Sequence, residues 1–193
     1  MSEIISVEGL DGSGKSTAIE AVNRRLDVHT DAEPSNQAIV EFMGTHDPPS
    51  PVDFFAHLLD RSIQQEQVYR PVRAIDQWVV LDRYVDSTIA YQRVDLAESP
   101  IPPSMIDYLA KTFFDMPTKT ILLDVPTHTA IDRTSDTDLH HDRDYLMRVR
   151  GQYRRLAEHY SDRVVTVDAS QSIEDVCDQV VEIVKDTIDS SDA

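Results

Sequence analysis

The sequence predicts an α/β fold of three layers, a five-stranded parallel sheet with helices on both faces. Three observations predict it. Short apolar runs at 4–7, 28–30, 78–81, 120–125 and 164–167 alternate with stretches of helical periodicity, as a parallel sheet with crossover helices requires. A glycine-rich turn separates the first apolar run from the first helical stretch. A chain of 193 residues suits one domain with a substantial core.

Ile4, Ile5 and Val7 make the first strand, and Ser16–Leu26 follows as a helix with Ile19, Val22 and Leu26 on one face. Val28–Thr30 is a brief second strand that ends at Ala32-Glu33-Pro34. Asn36–Met43 reads as a short helix and Gly44–Pro51, with three prolines, as a loop. Val52–Ile75 is a long helix, with Phe55, Leu58, Leu59 and Ile63 at helical spacing and a bend at Pro71. Trp78–Leu81 is a buried strand with Asp82 at its tip. Asp86–Val94 is helical, Ser99–Pro103 a linker, and Ser104–Phe114 helical again. Thr120–Val125 is the fourth strand, carrying Asp124, and Thr127–Arg133 a short helix. Residues 134–142 are polar without apolar periodicity, the pattern of a surface loop. Arg143–Tyr160 buries Leu146, Val149, Tyr153 and Leu156; Val164–Val167 is the last strand, Ile173–Ile188 the closing helix, and 190–193 frays.

Between the first strand and helix lies Gly9-Leu10-Asp11-Gly12-Ser13-Gly14-Lys15-Ser16-Thr17, the P-loop pattern in its required context. Glycines let backbone N–H groups turn inward on a phosphate chain, and the helix N-terminus adds partial positive charge. Lys15 is placed to reach the β- and γ-phosphates of a nucleoside triphosphate such as ATP, and the Ser16 hydroxyl to ligate Mg²⁺. The fold expected is therefore that of the P-loop NTPases. In such sheets ligands bind beyond the carboxyl ends of the strands. That rim gathers the P-loop, Ala32-Glu33-Pro34, Asp82-Arg83, Asp124 and the segment after Val167.

Composition narrows the partners. Acidic residues number 35 against 18 basic, a net charge of −17, and only Lys15, Lys111, Lys119 and Lys185 are lysines. A surface this acidic repels polyanions, which disfavours nucleic acid as a partner. The composition resembles that of proteins from organisms that keep multimolar salt in their cytoplasm. No apolar run is long enough to span a membrane, and no basic-then-apolar leader precedes the first strand. The single cysteine, Cys177, lies in a helical pattern of apolar residues, so core packing is expected and a disulfide framework is excluded. A cytoplasmic protein is expected.

A phosphate-binding loop does not separate a kinase from a hydrolase; residues 82–92, Asp-Arg-Tyr-Val-Asp-Ser-Thr-Ile-Ala-Tyr-Gln, do. A strand-end carboxylate such as Asp82 holds Mg²⁺ through water or orients an acceptor oxygen. Arg83 beside it offers a planar fork for a second phosphate, which a hydrolase attacking with water does not need.

Here the chain resembles the thymidylate kinase family. Its P-loop, the 82–92 signature, Ile121-Leu-Leu-Asp-Val-Pro126, Asp142-Arg143 with Arg150 and Tyr153, and Asp168-Ala169-Ser170 on the adenine side all look like that family's. The resemblance implies one kinase domain over 1–193 with a short lid at about 134–143, a homodimer, for which the long 52–75 helix offers a contact face, and transfer of the ATP γ-phosphoryl group to dTMP with Mg²⁺. It implies that Asp11 binds the sugar 3′-hydroxyl, Arg83 the acceptor phosphate and Arg61 the base. Tyr91 would wall off the 2′ side, with Gln92 beside the base and Ser87 on the acceptor. Because Gly12 stands where a basic residue can serve, catalytic positive charge would come from the lid, Arg143 first and Arg133 second. Two positions depart from the family. The phenylalanine that stacks on the base is His57 here, unless Phe54 or Phe55 replaces it. The Arg of Arg-Glu-Pro-Gly is Ala32, which removes a phosphate-side cation. Two further readings remain at this stage: a kinase for another pyrimidine nucleotide or nucleoside, and a nucleotide-binding paralogue with little catalysis.

Overall fold

The computed structural model describes residues 3–46, 50–134 and 143–191. Five strands, β1 (Ile4–Gly9), β2 (His29–Ala32), β3 (Val79–Asp82), β4 (Lys119–Asp124) and β5 (Val164–Asp168), form one sheet in the order β2-β3-β1-β4-β5. Every pairing is parallel, with Ile5 opposite Val80 on one side of β1 and Val7 opposite Ile121 on the other. The chain leaves the central β1 for the β2 edge, returns to β3, then crosses to β4. The reversal puts the crevice at the carboxyl end of β1, the switch point where open parallel sheets bind ligands. The three-layer α/β expectation holds.

The central strands are buried on both faces, which accounts for their unbroken apolar runs: Ile5, Val7, Val79, Val80, Leu81 and Ile121 are each 0% exposed. Burying each such side chain contributes about 1.5–3 kcal/mol. The polar side chains Ser6 and Thr120 within these strands are paired. Ser6 and Thr120 hydroxyls meet at 3.1 Å, and Thr120 donates to Asp86, whose carboxylate also takes both terminal nitrogens of Arg163 at 2.7 Å. Cys177 is a buried, free thiol, as its apolar setting predicts.

Helices α1 (Lys15–Arg25), α2 (Gln37–His46), α3 (Ser50–Gln64), α4 (Arg70–Ala74), α5 (Val85–Asp95), α6 (Pro103–Phe113), α7 (Thr127–Arg133), α8 (Arg143–His159) and α9 (Ile173–Ser191) surround the sheet. The single helix expected over 52–75 differs in one respect: a π-helical turn, Gln65–Tyr69, joins α3 to α4. The wider i→i+5 turn comes just before Pro71, whose ring would clash with the carbonyl four residues back in a regular helix. Helix α2 runs on through Gly44, expected in a loop, to His46, whose ring stacks on Phe42 with centroids 5.0 Å apart. At the C-terminus Ser190 and Ser191 stay helical, their hydroxyls donating to Asp186 O and Thr187 O. Of the lid expected at about 134–143, residues 135–142 lie outside the described residues.

Candidate active site

The loop from Gly9 to Gly14 is shaped by close approach. At Gly12, with φ +77°, a Cβ would stand 2.3 Å from Ala130 O; at Gly9, φ +144°, it would stand 2.6 Å from Leu123 O. Neither position accepts a side chain. Gly14 caps α1 without a side-chain hydrogen bond, so the first N–H groups of the helix are available to an anion. A cavity of about 400 Å³ opens over this loop, lined by residues 11–17 with Arg133, Ala169, Gln171, Ile173 and Val176. The length of α7 brings Arg133 there, and its guanidinium donates to Ala169 O at 2.9 Å. The Asp168-Ala169-Ser170 turn is held by Asp168, which accepts from the Ser170 N–H and hydroxyl and so titrates below the usual carboxylate range.

Lys15 is 6% exposed; its ammonium donates to Leu10 O at 2.9 Å and stands 3.8 Å from Asp11. Burial above all, helped by the nearby Arg83, lowers it to about 8. Ser16 donates to Asp82 at 2.8 Å, bringing a hydroxyl and a carboxylate together where β1 and β3 end. This hard-oxygen pair suits Mg²⁺, which takes one or two protein oxygens and completes its shell with phosphate oxygens and water.

Arg83 takes up a left-handed backbone, φ 70°, directly after β3. Its fork donates to Asp11 at 2.5 Å, to Ser87 at 3.2 Å and to the Tyr91 hydroxyl at 3.5 Å, and its guanidinium carbon lies 5.2 Å from the Tyr91 ring centre. Asp11 therefore bridges Lys15 and Arg83.

Helices α3 and α5 make the far wall. Arg61 bonds Thr88 at 2.8 Å, and Gln92 donates to Asp53 at 3.2 Å; His57 sits between these rungs, its Nε2 3.6 Å from Asp53. Burial first, then Arg61 and Arg83, pushes the imidazole below its ordinary pKa. Arg61 is 3% exposed, clamped by Glu33 at 2.6 Å and sandwiched between the Tyr84 and Phe114 rings. Glu33 also accepts from the Tyr69 hydroxyl.

The structure thus gathers Asp11, Lys15, Ser16, Asp82, Arg83, Ser87 and Tyr91 at one rim, with His57, Arg61 and Gln92 beside them. Arg143 is not with the loop. It lines a second cavity of about 320 Å³ with Thr127, His128, Arg150 and Arg154, while Arg150 grips Asp124 through two bonds at 2.6 and 2.9 Å. Among the described residues it is Arg133 that lines the loop cavity, because α7 ends against the loop and α8 begins away from it. Of the two neighbouring phenylalanines, Phe54 is wholly buried in the core and Phe55 is 55% exposed. Sequence reasoning put Glu33 on the rim without a role, and missed the parts played by Glu8 and Asp53. A carboxylate inside an apolar strand was the available signal for Glu8.

The thymidylate kinase family model matches residues 7–180. The chain belongs to the thymidylate kinase family. The "Probable thymidylate kinase" of Halorubrum lacusprofundi is 34% identical over 197 residues, covering 96% of this chain and 98% of that one. That of Natronomonas pharaonis is also 34% identical, over 94% and 97%, and the "Thymidylate kinase" of Latilactobacillus sakei 28%, over 94% of each. Family membership confirms the P-loop α/β fold and an ATP-dependent phosphotransferase that converts dTMP to dTDP.

Proposed function

We propose that this chain performs the family's reaction with the residues assembled at the rim, and that the carrying observation is the Lys15–Asp11–Arg83 bridge. Two cations held this close, with a half-exposed carboxylate between them, make a site for two phosphate-bearing molecules facing each other. Water as acceptor would leave Arg83 without a function.

The loop N–H groups and Lys15 take the β- and γ-phosphates of ATP. Arg133, on the same cavity, neutralises charge spreading over the transferring group, the role first expected of Arg143. Ser16 and Asp82 would hold Mg²⁺, which would supply further neutralisation of phosphate charge. Arg83 binds the dTMP phosphate, Asp11 the 3′-hydroxyl, and Tyr91 closes the 2′ side. Ser87 supports that end; Arg61, Gln92 and His57 meet the base. A dTMP phosphate oxygen attacks the γ-phosphorus as the bond to the β-phosphate oxygen breaks, and ADP leaves. No general base is needed, because a phosphate monoester with a second pKa of about 6 is already ionised at neutral pH. Val52, Phe55 and Leu59, exposed along one stripe of α3, support a homodimer through that helix. The acidic surface disfavours nucleic acid as a partner, and the cytoplasm, with its ATP, is the compartment that fits this reaction. Among the described residues no helix is long and apolar enough to cross a membrane.

The test is a coupled ADP-release assay in high KCl across dTMP, dUMP, UMP, CMP and thymidine. The expected order puts dTMP first with dUMP behind it; strong preference for UMP or CMP would overturn the thymidylate assignment. His57 in place of a stacking ring is the observation that favours the other-pyrimidine alternative.

A further inference from the structure

Glu8 is 0% exposed and ends the apolar stretch of β1, immediately before the P-loop. A buried carboxylate is costly unless its oxygens are hydrogen-bonded. Those of Glu8 reach across the rim. Oε1 accepts from the Tyr84 backbone N–H at 2.8 Å, and Oε2 from the Ser87 hydroxyl at 2.5 Å, with the Tyr153 hydroxyl at 3.5 Å. Ser87 in turn accepts from Arg83 at 3.2 Å.

The turn so held is the strained one. Arg83 has φ 70°, a conformation that a non-glycine residue keeps only where its surroundings over-determine it. Its own N–H is taken by Val7 O at 3.0 Å, and the next N–H by Glu8. Glu8 therefore reaches both the backbone that aims Arg83 and, through Ser87, the side chain itself.

We propose that Glu8 is a positioning residue for the acceptor phosphate, bolting the Arg83–Tyr84 turn to the strand that carries the P-loop so that the arginine fork and the donor loop keep a fixed separation. The inference rests on Arg83 as the ligand of that phosphate. Burial first, with Asp86 next, raises Glu8 to about 7, while Ser87, Arg83 and Arg61 pull it down. Lys15, Tyr91, Tyr153 and Arg163 face it from α1, α5, α8 and the approach to β5. Protonation removes an acceptor oxygen from the turn, so acceptor-side affinity falls as pH drops through about 7.

The experiment is steady-state kinetics of the full chain and its Glu8→Gln variant with ATP and dTMP, from about pH 6 to about pH 8.5. A displaced fork costs about tenfold or more in the variant's KM for dTMP, with the KM for ATP within about twofold. The acid limb near 7 in wild-type kcat/KM for dTMP flattens in the variant; the ionisation of dTMP itself is common to both and cancels. In an Arg83→Ala background Glu8→Gln adds nothing further. An unchanged KM for dTMP, an equal rise in both KM values, or an acid limb left intact overturns the proposal. Should Glu8→Gln fail to fold, Ser87→Ala cuts the bridge to Arg83: the same one-sided rise is expected, and its absence is equally fatal. If Arg83→Ala raises the KM for dTMP while Glu8→Gln does nothing, the Glu8 proposal alone falls. If Arg83→Ala is itself silent, the acceptor-side reading falls and takes this proposal with it.

Discussion

At the proposed donor end of the cleft the chain presents backbone; at the proposed acceptor end it presents side chains drawn from distant elements. The donor cradle is six residues of loop and the start of one helix, with Gly9 and Gly12 packed against carbonyls too close for any Cβ. The acceptor wall needs Arg61 from α3, Thr88 and Gln92 from α5, and Glu33 from the end of β2. A backbone-built site is specified by local conformation and tolerates almost no change at its glycines. A side-chain-built site is specified by packing, and can be altered one contact at a time. His57 and Ala32, the two positions where the sequence reading expects a departure from the family, both fall on the proposed acceptor side.

The comparison predicts its largest effect at the donor end. Lys15→Met should remove one preorganised contact to the developing charge, costing about 2.7–4 kcal/mol, or roughly a hundred- to a thousandfold in kcat, with the fold intact. Circular dichroism checks the fold and the coupled assay the rate; half the activity in a folded variant would mean that Lys15 does not touch the transferring group.

A smaller effect is expected at the acceptor wall. His57→Phe restores stacking area between the Arg61 and Gln92 rungs and should tighten dTMP several-fold, within the range of about 1–3 kcal/mol that such apolar differences reach. It should also sharpen dTMP over dUMP. Competitive assays of the two nucleotides decide it: no gain in either means that the base lies elsewhere.

How much of this was legible follows the same division. The P-loop and the Asp82–Gln92 signature stand in contiguous sequence, and both appear where expected, with β1 and β3 bringing them together. The five strands and their parallel sheet were legible too, because two-sided burial writes itself as apolar runs. The Glu33–Arg61 clamp spans 28 positions and the Glu8–Ser87 bond 79; neither has a local pattern. No local pattern separates Arg143 from Arg133; the packing of α7 against the loop is what brings Arg133 to the cavity.

The weakest and most diffuse effect is that of salt. Helix α9 alone exposes Glu174, Asp175, Asp178, Glu182, Asp186 and Asp189, within a chain of net charge −17. The Debye length falls from about 10 Å at 0.1 M to about 3 Å at 1 M, which removes most of the repulsion between neighbouring carboxylates. The Tm should therefore climb steadily towards multimolar KCl, while activity rises and then levels as Lys15 and Arg83 are screened. A Tm flat or falling with KCl would mean that the acidity has another cause.

The central claim is that the two ends of the cleft bind two phosphate-bearing substrates independently, one through backbone and Lys15, the other through Arg83. Arg83→Ala tests it most directly, with KM measured separately for ATP and for dTMP. The account predicts a raised KM for dTMP and a lowered kcat, with the KM for ATP nearly unchanged. Loss of ATP affinity with the KM for dTMP preserved would place Arg83 on the donor side and contradict the division.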